Sequence, residues 1–254
     1  MTRAGRTLDV LIKVDVGFHR CGIDPDAAGA LGFIRAIDTL PGLRLRGLLS
    51  HAGHGYGAGS EDELSAIASR EAEILTMLRD KALGAGIALE ELSVGATPTL
   101  RFSAQQRGIT ELRPGNYVYF DRTQLALGAA ALDDCALTVV ATVVSKPAAD
   151  RIILDCGSKT LTNDQARGIA KAPGYGAVLT PAGDAIDDSL LIERLSEEHA
   201  VVRAAEGTRL EPGDRVRVLP NHSCTVSNLV DAVRLVEGDR VVETLVVAAR
   251  GKIA

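Results

Sequence analysis

Between Leu8 and Asp121 the chain alternates two rhythms, and this alternation restricts the folds open to it more than any single motif does. Short β-type runs recur at LDVLIKVDV (8–16), LRLRGLLSH (43–51) and ELSVGAT (91–97), with a weaker one at ITELR (109–113). Residues 25–39 and 61–84 carry apolar positions three and four apart. In the second stretch these are Leu64, Ile67, Ile74, Leu75 and Leu78, behind a helix-opening Ser60-Glu61-Asp62-Glu63. Strand and helix in turn predict a parallel sheet or a β/α barrel. After about Leu125 the pattern changes to closely spaced β-type segments: ALTVVATVVSK, DRIILDCG, DSLLIERLS, HAVVRA, DRVRVLP and ETLVVAARG. Asp, Gly and Pro separate them, as an antiparallel β domain requires. The expected organisation is a β/α unit over residues 1–124 and a β domain over residues 125–254.

With 254 residues, 46% hydrophobic and 24% charged, the chain has enough apolar material for a full core. Its net charge of −5 leaves no basic excess for nucleic acid, so a small molecule is the expected partner. The basic N-terminus lacks an unbroken apolar stretch, and no run approaches the roughly 18 residues that cross a bilayer. The expected setting is the cytoplasm, away from membranes. Cys21, Cys135, Cys156 and Cys224 are widely spaced with no CxxC, which argues against a disulfide framework and a four-cysteine zinc knot alike.

Each β run of the first half ends in polar or glycine-rich sequence: VDVGFHRCG, SHAGHGY, GATPT and RPGNYVYFD. In a β/α barrel the active site forms from the loops at the C-terminal ends of the strands. Gly95-Ala96-Thr97-Pro98-Thr99 and Pro114-Gly115-Asn116-Tyr117 both suit an anion, since glycine lets backbone N–H groups approach it. Either alone is equally a chain turn; on the last two strands together they favour a phosphate. Asp15, His19 and Arg20 form a salt-bridged loop or part of a site. His51 and His54 are structural histidines or, with Tyr56 at the same strand end, catalytic or cofactor-binding groups. Near the C-terminus, RVLPNHSCTVSN sets His222 and Cys224 two residues apart. In an extended segment both would face one way, with Ser223 away, and could reach one zinc ion; the alternative is a buried cysteine beside a histidine.

VDVGFHRCG, SHAGHGY, GATPT, ELRPGNYVYFD, LDCGSKTLTND, LSEEH and PNHSC, in this order, resemble the D-threonine aldolase and D-serine dehydratase family of pyridoxal phosphate enzymes, with the alanine racemase-like fold. The resemblance runs from about Leu8 to the end. It implies a (β/α)8 TIM-type barrel, only part of which is present here, that holds pyridoxal 5'-phosphate, and a C-terminal antiparallel β domain. It also implies a divalent metal, zinc first and manganese as the alternative. Carried over by motif, Arg20 would face the pyridine nitrogen and Tyr56 would line the cofactor pocket. Gly95 and Thr97 with Gly115 and Asn116 would hold the phosphate, Tyr117 would lie near the ring, and His222 and Cys224 would bind the metal. His51 and Tyr56 are the catalytic candidates. The activity implied is a lyase reaction on a D-3-hydroxy amino acid, by aldol cleavage or dehydration, with a homodimer as the family-level expectation.

The family also implies a Schiff-base lysine on the first barrel strand. None of Lys13, Lys81, Lys146, Lys159, Lys171 and Lys252 stands there, and about four β/α units precede the β domain where a barrel needs eight of roughly 30 residues. A misassigned start or truncated gene is the favoured expectation; a separate polypeptide supplying the other half and a non-catalytic cofactor- or metal-binding remnant are the alternatives. A racemase, a further possibility of the shared fold, is disfavoured by the His222 and Cys224 pair.

Overall fold

The computed structural model describes residues 5–170, 172–238 and 240–252. Lys171 therefore lies outside the described residues. The chain divides into two compact units, Met1–Gly115 and Asn116–Ala254. The change of sequence rhythm falls near 124–125, whereas the compact boundary falls at 115–116. The intervening residues bond within the second unit: Arg122 N–H donates to the Pro220 carbonyl and the Thr123 hydroxyl to that of Asn221.

The first unit runs β1 (Leu8–Lys13), α1 (Ala30–Asp38), β2 (Leu43–Leu49), α2 (Glu61–Gly84), β3 (Glu91–Val94), α3 (Leu100–Ser103) and β4 (Glu111–Leu112). The four strands are parallel and lie in sequence order. Ile12, Leu48, Leu92 and Val94 bury their side chains with Ile34 of α1 and Leu75 and Leu78 of α2 in one core. The 24 residues of α2 match the predicted span, because their start is encoded locally. Ser60 Oγ accepts the Glu63 N–H at 3.1 Å and Glu63 Oε2 accepts that of Gly59 at 2.8 Å, satisfying donors that the first turn cannot. The first helix is shorter than its 25–39 periodicity suggests. The segment before Ala30 is taken up by turns, one closed by Asp24 Oδ1 accepting the Asp26 N–H.

The second unit opens with α4 (Arg122–Ala126), followed by β5 (Val139–Ala148), β6 (Arg151–Leu154), α5 (Ser158–Leu161), β7 (Ala177–Val178), β8 (Leu190–Leu195), β9 (Ala200–Ala204), β10 (Arg215–Leu219), α6 (Ser223–Asn228), β11 (Ala232–Glu237) and β12 (Arg240–Val246). Six strands form a sheet in the order β7-β10-β5-β6-β9-β8, with every pairing antiparallel, and β11 and β12 form a separate hairpin. Alternate residues such as Val216 and Val218 point into the core while Arg215 and Arg217 point out, the period-2 pattern that made these strands legible. Two strands had not been expected: β7 is only two residues long, and β11 is almost wholly exposed and lacks a buried face. Among the described residues, no helix is long and apolar enough to cross a membrane.

Candidate active site and the His222 and Cys224 pair

Because β1 to β4 are parallel, the segments that follow them leave the sheet on one edge. After β1, Asp15 organises its own loop. Its Oδ1 accepts the N–H groups of Gly17 at 2.9 Å and His19 at 3.0 Å, and its Oδ2 faces His19 Nδ1 at 3.0 Å. Burial alone would raise the Asp15 carboxyl, but these donors outweigh it and hold the group below the usual carboxylate range. They also hold His19 at a φ of 54°, a left-handed conformation uncommon outside glycine. Arg20 is exposed, with its guanidinium over the Phe18 ring at 5.3 Å, and Phe18 meets the His51 ring edge-on at 5.6 Å.

After β2, every polar group of Ser50 is engaged. Its N–H donates to the Ser93 carbonyl at 2.9 Å, its hydroxyl to Glu71 Oε1 at 2.5 Å, and its carbonyl accepts Arg113 Nη2. Next to it, His51 Nδ1 lies 2.5 Å from the Gly95 carbonyl oxygen. A carbonyl only accepts, so Nδ1 carries the proton and Nε2 is the basic nitrogen. Burial is the main influence lowering the His51 pKa, with Arg20, Lys13 and Arg113 lowering it further against the Gly95 bond. The result is a neutral, half-buried imidazole with a fixed tautomer, fit to accept a proton. Glu71 is pushed up to about 7, chiefly by burial. The native state keeps a proton there that the unfolded chain has already released, so the fold loses on the order of 3 kcal/mol as pH rises from 4.5 to about 7.

After β3, Thr97 is buried and its hydroxyl oxygen has no partner. A Cβ on Gly95 would lie 3.0 Å from the Arg113 carbonyl, so only glycine lets these backbones approach so closely without displacement. Around Gly115 the space is open. An unsatisfied buried hydroxyl beside a glycine-lined approach fits a phosphate. Tyr56 is half-buried in the short 3-10 turn Gly53–Gly57, along with His54, whose pKa is lowered mainly by burial.

In the second unit, the Asn116 side chain is engaged: Nδ2 donates to Asp121 Oδ2 at 2.5 Å and to Cys224 Sγ at 3.6 Å. Its backbone N–H would remain for a phosphate. Tyr117 is exposed. The expectation of an extended segment through His222 and Cys224 is corrected: α6 begins at Ser223, with His222 as its N-cap residue. Asp121 explains the change, because its Oδ2 accepts the Ser223 N–H at 3.0 Å, one of the donors that a helix start leaves open. Ser223 is buried and its hydroxyl donates to the Phe120 carbonyl at 2.6 Å. The first helical turn still brings the pair together. Cys224 is bonded to the His222 ring, and that bond, against burial and aided by Asp164, pushes His222 up to about 9. His222 Nδ1 donates to Asp164 Oδ2 at 2.8 Å, and Asp164 also accepts the Thr225 hydroxyl at 3.2 Å.

An alanine racemase N-terminal domain model matches residues 1–123, and a serine dehydratase domain model matches residues 136–236. The D-threo-3-hydroxyaspartate dehydratase of Delftia sp. (strain HT23) is 32% identical over 252 residues, covering 94% of this chain and 65% of that enzyme. Its solved structure superposes with a TM-score of 0.88 at 30% identity, covering 96% of this chain and 67% of that one. The chain belongs to the D-threonine aldolase and D-serine dehydratase family. Its fold is the alanine racemase-like one, parallel strands first and an antiparallel sheet after. Within the family, a D-threonine aldolase from Arthrobacter sp. is 31% identical, covering 99% of this chain and 63% of that enzyme. The solved D-threonine aldolase from Filomicrobium marinum has a TM-score of 0.86 at 26% identity, covering all of this chain and 66% of that one. This chain thus spans about two thirds of the length of the relatives it matches. Two further solved forms of a D-threo-3-hydroxyaspartate dehydratase carry alanine in place of a histidine and of a cysteine two positions apart, and the cysteine variant is in a metal-free form.

Four further residues of this family member hold its candidate groups in place: Glu71, Arg113, Asp121 and Asp164. Glu71 leaves a periodic signal, since it falls seven residues after Leu64 and seven before Leu78 on the apolar stripe of α2. Arg113, Asp121 and Asp164 stand within the motifs ELRPGNYVYFD and LDCGSKTLTND, but their bonds to Ser50, Ser223 and His222 span distances that no local pattern records.

Proposed function

We propose that this chain carries the cofactor- and metal-holding residues of a pyridoxal phosphate- and metal-dependent lyase acting on D-3-hydroxy amino acids, by dehydration or aldol cleavage, with the Schiff-base lysine that the family implies not among them. The observation that carries the reading is the His222 and Cys224 pair. It has the same spacing as the two positions changed in the relative's solved variants, and an oriented imidazole beside a thiol. The donor set fits the metal. Nitrogen and sulfur suit zinc ahead of manganese, and a zinc held by this pair would take its further ligands from water or a substrate oxygen; among the described residues no group of three or more such side chains is assembled. A metal there would supply Lewis-acid polarisation of the β-hydroxyl. Pyridoxal phosphate, when bound, supplies stabilisation of negative charge at Cα.

This chain's own residues do the rest. Thr97 Oγ and the Gly95 and Gly115 backbone bind phosphate, with the Asn116 N–H. Arg20, held over Phe18, would face the pyridine nitrogen and, as a guanidinium that does not release its proton, would leave that nitrogen unprotonated. His51 accepts a proton at Nε2 while Gly95 holds Nδ1. Tyr56 would line the cofactor pocket, and Tyr117 is a further candidate near the ring. A cytoplasmic setting agrees with four unpaired cysteines, and a homodimer remains the family-level expectation.

The test is incubation of the purified protein with pyridoxal phosphate and zinc, followed by assay of D-threonine, D-serine and D-threo-3-hydroxyaspartate against their L-forms. Release of an aldehyde with glycine, or of a 2-oxo acid with ammonia, from the D-forms alone supports the reading; silence on all of them, also when a lysine-bearing barrel strand is joined to the chain and both cofactors are shown to be bound, removes it. Asp164 should act through His222. Asp164→Asn is expected to weaken zinc affinity 10–100-fold in competition with a chromophoric chelator, as the loss of an orienting partner generally does. Unchanged affinity would deny Asp164 that role.

A further inference from the structure

Glu71 is 1% exposed, on the face of α2 that otherwise buries Leu64, Leu75 and Leu78. An apolar side chain would pack that helix without desolvating a carboxyl. The group instead reaches the segment after β2. Its Oε1 accepts the Ser50 hydroxyl at 2.5 Å, the Ala52 N–H faces the same carboxylate, and its Oε2 is buried with no partner. Ser50 and Ala52 are both wholly buried, and they are the residues on either side of His51. We infer that Glu71 is the positioning residue of His51, clamping the backbone on both sides of it so that the imidazole keeps Nδ1 on the Gly95 carbonyl and Nε2 available. The inference rests on the proton-accepting role proposed for His51.

The clamp is built to sense protons. The positive charges of Lys13, at the end of β1, and Arg113, after β4, act on the Glu71 carboxyl; the same two, with Arg20, act on His51. Glu71 changes charge near pH 7, whereas His51 itself changes below its ordinary 6.5. As pH falls through about 7, the clamp takes up a proton and loses acceptor capacity before His51 does.

The test follows the His51 ring signal by NMR between pH 5 and 9 in the full chain, assigned with His51→Gln. In the native protein the signal is expected to show its own titration below 6.5 and a second inflection near 7. Glu71→Gln, which keeps an acceptor for Ser50, should lose only the second inflection. Glu71→Ala should also let the His51 pKa rise toward its ordinary value, with kcat on the active D-amino acid reduced about tenfold and KM within twofold. A folded Glu71→Ala protein whose His51 titrates as in the native chain overturns the inference. If Glu71→Ala does not fold, Ser50→Ala removes the same bond from its other end, and an unshifted His51 there overturns it equally. Absence of lyase activity, also with the lysine-bearing strand joined, would count against the proposed function, while the ring titration would still decide Glu71.

Discussion

Cys224→Ala is expected to leave the protein folded and without bound divalent metal, with D-3-hydroxy amino acid cleavage reduced about 1,000-fold or more. The size follows from what a Lewis acid contributes to a hydroxyl leaving group or alkoxide, several kcal/mol of charge stabilisation that no nearby group replaces. The selectivity follows from the surroundings. Cys224 is exposed, and among the described residues its sulfur has the Asn116 amide, at 3.6 Å, and the His222 ring as hydrogen-bonding partners, so its truncation disturbs no buried core side chain. Metal content by mass spectrometry, thermal unfolding and the D-amino acid assay on the same preparation check it. Retained zinc, or full activity without it, would remove the pair from the mechanism. His222→Ala should behave alike, since its side chain makes no capping bond to α6.

The second large effect lies in folding. Gly47→Ala is expected to unfold the first unit or leave it insoluble, at a cost of upwards of about 3 kcal/mol. A Cβ at Gly47 would stand 1.8 Å from the Glu91 carbonyl oxygen and 2.6 Å from its carbon, and both are backbone atoms of the neighbouring strand. No rotamer relieves this contact. Relief means parting β2 from β3 at their Gly47 and Glu91 register pair, and the Ser50 to Ser93 and His51 to Gly95 bonds lie just beyond it. Gly84→Ala is the control: it meets nothing within 4 Å at the end of α2 and should be neutral or slightly stabilising. Equal melting of the two variants and the native chain would refute the close approach.

Much of the architecture was readable from short stretches. The span of α2 is encoded by Ser60, Glu63 and a stripe of leucines and isoleucines within a few turns, and strands such as β9 and β10 by alternation over five residues. Weak or absent local signals gave the differences. The two-residue β7 offers no periodicity and the exposed β11 no buried face, while the strand-like look of the segment through His222 yielded to a helix started by Asp121.

The sequence by itself determined the β/α half, the antiparallel half, the ordered motifs that mark the family, and the nearness of His222 to Cys224. Each of these depends on residues close together in the chain, where periodicity, capping and spacing act. Only the tertiary structure decided how the groups are held. Glu71 meets Ser50 across 21 residues, His222 meets Asp164 across 58 and Ser223 meets Asp121 across 102. Such bonds form because burial leaves a polar group no water to turn to, and burial is a property of the folded chain that no local stretch carries.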